Sequence, residues 1–345
     1  MGIALQTVTN ELTHVFLLSV GAFLLAMFLT PIYTFFAYRY RFWKRQRSES
    51  TDGKKLKVFA KFQAAKLRRN IPTMAGVIGV ISIFVVTIFF NLDRAQTWLP
   101  LAALVGGGIV GLIDDIINLR GLGGGAAGLR SPVKFALITL IGVALGWFFF
   151  AKLGVASFHV PFVGEVNIGW LIVPLFAFAV VATGNAVNIS DGMDGLAGGL
   201  LGISFGAFGV IALLQQHVIL AGFCFTVVGV LLSYLWFNIY PARFFMGDVG
   251  SFAYGACLGV VAMLTDSLLL LPVIGLLFVI EAGSSLTQIV SKKLFKRKIF
   301  LSAPIHHHLE AIGWPETKVT MRFWVIGCVM AFIGVMLALA GGHIA

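Results

Sequence analysis

The chain has 345 residues, 59% of them apolar and only 11% charged, with a formal net charge of +11. An ordinary soluble domain carries roughly 25% charged residues. Here successive apolar runs of about 20 residues, each long enough to cross a hydrocarbon core of ~30 Å, exclude a soluble fold. The basic excess is not the footprint of a nucleic-acid binder, because Lys and Arg gather in short segments between apolar runs, as in a polytopic membrane protein.

The expected fold is therefore all-α, a single integral membrane domain over residues 1–345 with about ten transmembrane helices. The first apolar run, Val15 to Ala37, has no Lys or Arg before it and basic residues after it. It is too long for a signal-peptide core and reads as a retained helix. Spans are expected near 12–38, 72–91, 97–113, 132–151, 167–184, 193–214, 217–238, 250–265, 267–290 and 321–341. The ninth run holds Pro272, Gly275 and Gly283, which predict a bend or break. Its Glu281 reads as a structural carboxyl satisfied by Gln288 or by the broken helix. Cys224, Cys257 and Cys328 all lie in apolar runs and read as packing residues.

Orientation follows from the cations. Segment 39–70 carries twelve Lys and Arg residues and segment 291–320 carries six. Arg120, Arg130 and Arg243 fall in loops of the same parity, and Lys134 and Arg322 begin helices there. Only Arg94 and Lys152 lie on the other side, a division of 23 to 2. The positive-inside rule makes the first side cytoplasmic and puts both termini outside. The cytoplasmic loops are then about 39–71, 114–131, 185–193, 239–250 and 291–320.

Acidic residues number fourteen, and five of them fall in three motifs on that basic side. Asp114-Asp115 closes the third span; two adjacent carboxylates near lipid repel each other and require a cation or donors. An isolated pair would serve equally as a solvated helix end. The run Asn185 to Gly195 holds Asn185, Asn188 and Asp191 at a spacing of three, followed by Asp194. A helix starting near Met193 would offer N–H groups to an anion. A cap and turn would explain one of these Asp residues, but not two Asn and two Asp. The run Asn238 to Ser251 joins Arg243, an aromatic pair expected to be exposed (Phe244-Phe245) and Asp248 in a glycine-bounded loop. That inventory suits a base-stacking ring beside a Mg²⁺ ligand. Finally, Ala303 to Glu310 contains His306-His307-His308. Consecutive side chains do not converge on one ion, so phosphate contacts are a better reading than a closed zinc site. A metal-ion transporter, the competing class, would place its acids at mid-membrane, where only Glu281 lies.

These motifs, in this order from Pro72 to the last helix, resemble those of the polyprenyl-phosphate N-acetylhexosamine-1-phosphate transferases. The Ala-Pro-Ile-His-His-His-x-Glu run resembles that of the muramyl branch, and the alternative is a branch that transfers GlcNAc-1-phosphate. The resemblance implies a Mg²⁺-dependent enzyme of the bacterial cytoplasmic membrane, usually a homodimer, with no nucleic acid as partner. It implies transfer of phospho-MurNAc-pentapeptide from UDP-MurNAc-pentapeptide to undecaprenyl phosphate, giving lipid I and UMP. Carried over by position, Asp248 is the metal ligand, and Asp114 and Asp115 are the catalytic pair, with Asp114 acting on the lipid phosphate. His306 joins the catalytic set. Arg68, Thr73, Asn188, Asp191, Asp194, Phe245, Gly247, His307 and His308 bind substrate, Phe245 by stacking on uracil. The chain departs from the family pattern at Asn118, where a lysine is usual, with Arg120 or Lys134 as its replacement. It departs also at Ala75, where Gly is usual, and at Arg68, where Lys is usual.

Overall fold

The computed structural model of the chain describes residues 2–43, 70–122 and 128–343. Helix α1 (Gly2–Arg39) is followed by α2 (Gly76–Phe90), α3 (Trp98–Arg120) and α4 (Ser131–Leu153). A hairpin of β1 (Ser157–Val160) and β2 (Gly164–Asn167) precedes α5 (Ile172–Ser190), α6 (Leu196–Leu214), α7 (Val218–Asn238) and α8 (Gly247–Leu264). The chain continues through α9 (Leu271–Ile274), α10 (Leu276–Leu294) and the short α11 (Ile305–Ala311) to α12 (Glu316–Ala340). Among the described residues, eight helices are long and apolar enough to span a membrane, and the pair formed by residues 268–274 and α10 makes a ninth. With the 15-residue α2 these meet the expected count of about ten.

The bend falls where the sequence places it. The two halves of the ninth span meet at 81° across Gly275. Pro272 does not cause the break: it lies in the first turn of α9, where its missing N–H is no loss. Glu281 is fully buried but does not pair with Gln288. Gln288 instead ties down the following loop, accepting from the N–H groups of Ile299 and Phe300 and donating to the Phe300 carbonyl.

α8 is the axis of the bundle: 94% of its span is buried, against 28% for α1, α4 and α12, whose apolar faces meet lipid. Small residues permit this. A methyl added at Gly107 or Gly111 of α3 would strike the backbone of Phe252 or Asp248. One at Gly255 or Gly259 of α8 would strike α5 at Thr183 and Ala179. Without water to drive apolar association inside a bilayer, such close backbone approach and its dispersion contacts hold helices together.

Several helix ends differ from the expected ones, and the differences converge on one end of the bundle. α3 runs on to Arg120, so Asp114 and Asp115 lie within it. α2 starts only at Gly76, because residues 72–75 pair instead with the loop before α8. There the Phe245 N–H donates to Pro72 O, and the Ala75 and Gly76 N–H groups donate to Phe245 O and Met246 O. α6 begins at Leu196 rather than near Met193, and residues 191–195 form a turn.

Gly111→Val should therefore force α3 away from α8 and cost about 1–3 kcal/mol of stability. Gly206→Ala, where nothing lies within 4 Å of the new methyl, should be neutral or stabilise by ~0.5–1 kcal/mol. Thermal unfolding of both variants in detergent checks the pair; equal midpoints would refute this account of the packing.

Candidate active site

Three carboxylates meet where α3 crosses the start of α8. Asp114, Asp115 and Asp248 are 1%, 0% and 6% exposed, and one oxygen from each lies within 4.8 Å of the others. Successive residues on a helix point about 100° apart, so the adjacent pair takes different partners. Asp114 Oδ1 accepts the Leu129 N–H at 2.7 Å. Asp115 Oδ2 accepts the Val249 N–H at 3.1 Å, one of the unpaired donors that open α8. Gly247, the first residue of α8, has φ +76. A side chain there would be strained in backbone and would press on Asp115 and Met74.

The cation among them is Lys134, in the first turn of α4. Its Nζ lies 2.7 Å from Asp248 Oδ2 and 3.1 Å from Asp114 Oδ1, and 5.2 Å from the centre of the Phe252 ring. Of the two candidate replacements for the usual lysine, the structure brings Lys134 to the carboxylates and leaves Arg120 exposed at the end of α3. Asn118 is buried, and its carbonyl accepts from Gly121 at the helix end.

The second motif lies beside the first turns of α8. Asn188 donates to Ser251 Oγ at 2.8 Å, while Asn185 turns back to its own helix at Val181 O. Asp191 ends α5 and is half-buried. Asp194 is 1% exposed; its carboxylate accepts the Ala242 N–H at 3.0 Å and its own N–H donates to Glu316 Oε1. Asn238 joins the same knot, accepting from Gly195 N–H and donating to Phe244 O. The turn after α5 is thus sewn to the loop before α8. Of the aromatic pair expected to be exposed, Phe244 is buried, with its ring near those of Tyr33, Tyr234 and Phe237. Phe245 is half-buried. Thr73 is buried, its carbonyl taken by the Tyr33 hydroxyl.

The three histidines sit on α11 and take separate partners. His306 is fully buried, with Nδ1 2.7 Å from Glu281 Oε2. Because a methyl at Gly192 would collide with the other side of the ring, His306 lies directly against the turn between Asp191 and Asp194. His307 Nδ1 lies 3.1 Å from Glu310 Oε2, and burial holds His307 below the usual imidazole range. His308 Nδ1 accepts the Leu301 N–H at 3.3 Å. Arg68 lies outside the described residues. The roles of Glu316 and Asn238 are not visible in the sequence, because an acid after proline and an amide at a helix end are ordinary capping residues there.

The donor set fits a hard divalent cation. Carboxylate oxygens are the ligands Mg²⁺ prefers, and three such carboxylates converge beside the Lys134 ammonium. Such a site can hold a diphosphate through a metal, and Asp114 or Asp248 can accept a proton.

Residues 97–266 match the model of glycosyl transferase family 4. The chain is 38% identical over 356 aligned residues to a phospho-N-acetylmuramoyl-pentapeptide-transferase of Chloroflexus aggregans, covering 99% of this chain and 94% of the relative. It is 35% identical to a protein of the same name from Geobacillus thermodenitrificans and 34% identical to one from Bacillus anthracis. Both matches cover 91% of this chain and 94% of the relative.

Removing Lys134 should take from Asp114 and Asp248 the ammonium that they share. Lys134→Gln should lower the thermal midpoint well beyond the control Lys152→Gln, by on the order of 3 kcal/mol, and millimolar Mg²⁺ should recover part of the loss. Identical midpoints for the two variants would show that Lys134 does not neutralise the cluster.

Proposed function

The chain belongs to the phospho-N-acetylmuramoyl-pentapeptide-transferases, and on that premise we propose that it transfers phospho-MurNAc-pentapeptide from its UDP-linked donor to undecaprenyl phosphate, releasing UMP and forming lipid I. The observation that carries this reading is the meeting of Asp114, Asp115 and Asp248 with Lys134 at one end of a membrane bundle. The reaction joins two anions at the edge of a bilayer. It needs a place where negative phosphates approach and a base that survives burial.

Mg²⁺, when bound, supplies charge neutralisation on the diphosphate as UMP leaves. Asp248 would be its main ligand, and Asp114 and Asp115 have oxygens close enough to help hold it. Asp114 takes the proton of the lipid phosphate, or holds that phosphate oriented if it arrives ionised. Its bonds to Leu129 N–H and Lys134 fix the direction in which it works. The lipid phosphate oxygen then attacks the phosphorus bearing the sugar in one displacement, with no covalent enzyme intermediate. Lys134 lies beside both carboxylates and partners the incoming phosphate. Phe245 takes the uracil face. Asn188, Asp191, Asp194, Thr73, Gly247 and Arg68 shape the nucleotide-sugar site around it. His307 and His308 meet phosphate or sugar. Glu281 orients the His306 ring, its Oε2 lying 2.7 Å from Nδ1.

The site end of the bundle is the basic end, and the positive-inside rule makes it cytoplasmic, with both termini on the other side. Basic loops there raise the local concentration of the anionic donor. The family resemblance supports a homodimer.

In a detergent assay with both substrates, UMP release should require a divalent cation and be supported by Mg²⁺. Asp248→Ala should abolish release while the protein remains folded. Asp114→Asn should lose roughly 10²–10⁴-fold in kcat. UDP-GlcNAc should be a poor donor; its preferred use would shift the assignment to the GlcNAc-1-phosphate branch. Full activity in Asp248→Ala would sink the metal assignment, and a phosphorylated Asp114 or Asp115 trapped in turnover would replace the single displacement.

A further inference from the structure

A second polar cluster lies at the opposite end of the bundle, where α4 and α8 finish. In the β1–β2 hairpin His159 is the direct cross-strand partner of Glu165, so their side chains share a face. Asp266, in the turn after α8, accepts the His159 backbone N–H on Oδ1 at 2.9 Å. His159 Nδ1 stands 3.4 Å from Glu165 Oε1. One donor atom each from His159, Glu165 and Asp266 lies within 4.8 Å of the other two.

The tautomer of His159 can be deduced. Nε2 lies 2.8 Å from the carbonyl of Gly341, which can only accept, so Nε2 carries the proton. Nδ1 is then the ring atom that faces Glu165. An imidazole that donates one N–H to a backbone carbonyl while its other nitrogen faces carboxylates is the arrangement found in metal-binding histidines. His159 is only 8% exposed, so solvent does little to screen these groups from one another. A second imidazole, His343 at the end of α12, packs with its ring centre 4.0 Å from that of His159. Both of its ring nitrogens are enclosed, with no hydrogen bond of good geometry among the described residues. Enclosed imidazole nitrogens without a good partner are unfavourable, and a nearby ligand would relieve them.

We propose that His159, Glu165 and Asp266 form a binding site for a divalent metal ion, zinc by the chemistry of the donor set, with the His343 ring packed against it. One imidazole with two carboxylates suits Zn²⁺ better than Mg²⁺, which avoids nitrogen ligands. The ligands come from a hairpin and an interhelical turn, and His159 is also tied to the tail beyond the last helix through the Gly341 carbonyl. An ion there would pin three elements that are far apart in sequence, at a site remote from the carboxylates of α3 and α8. The site is structural, and it stands whether or not the transferase reading holds.

The test uses the full chain in detergent, stripped with chelator and titrated with ZnCl₂. Zinc per chain is measured by equilibrium dialysis and mass spectrometry, and thermal midpoints are recorded in parallel. Wild type should bind one equivalent more than His159→Ala or Asp266→Asn, and its zinc-dependent rise in midpoint should vanish in those variants. Glu165→Gln, with its side chain 55% exposed and therefore safe for folding, should weaken this equivalent tenfold or more. UMP release at saturating Mg²⁺ should stay unchanged in Glu165→Gln. Equal zinc stoichiometry and affinity in wild type and Glu165→Gln would overturn the proposal, as would a wild type whose midpoint ignores zinc.

Discussion

Holding three carboxylates together inside an apolar bundle is the constraint on which the rest of the molecule depends. Two charged carboxylates within 4.8 Å of each other repel by at least roughly 3 kcal/mol at an effective dielectric of 20, and this cluster brings together three such groups. A hydrogen bond to a charged group returns about 1.5–3 kcal/mol, so peptide donors alone do not settle the balance. The chain therefore supplies donors and a cation together: Leu129 N–H to Asp114, Val249 N–H to Asp115, and Lys134 between Asp114 and Asp248. Each of these comes from a different segment, so the charge arrangement dictates where three segments must meet.

The packing answers that demand. The Val249 N–H reaches Asp115 only because α3 and α8 approach to backbone contact at Gly111. The start of α8 is held in turn by residues 72–76, which give up helical structure to pair with residues 245–246. The Asp194, Asn238 and Glu316 knot fixes the loop from its other side. A buried polar network of this kind orders its surroundings only when its members are satisfied, and here backbone groups supply many of the partners.

Much of this is legible in the sequence. Apolar run lengths predict the spans, and Gly275 marks the bend because sharp kinks in apolar helices gather at glycine and proline. The convergence of Asp114, Asp115 and Asp248 follows from parity alone: each lies at the same end of its span. Pairing across space is what a linear reading misses. Gln288 is nearer to Glu281 in sequence than His306 is, yet α11 brings His306 to the buried carboxyl while Gln288 serves the loop at 299–300. Phe244 and Phe245 look alike as neighbours, but only the register of the loop decides which ring turns inward. Lys134 and Arg120 are equal candidates by charge; α3 ends with Arg120 exposed, while Lys134 reaches the carboxylates from the start of α4.

Lys134 has one more implication. Its ammonium is carried on a flexible four-carbon stem from a helix whose span is mostly lipid-facing. The cluster thus has a tethered counter-ion that can swing aside without any proton changing hands. With the ammonium seated, one of the cluster's negative charges is offset; with it turned away, the same carboxylates would be one unit more negative and readier for a cation from solution.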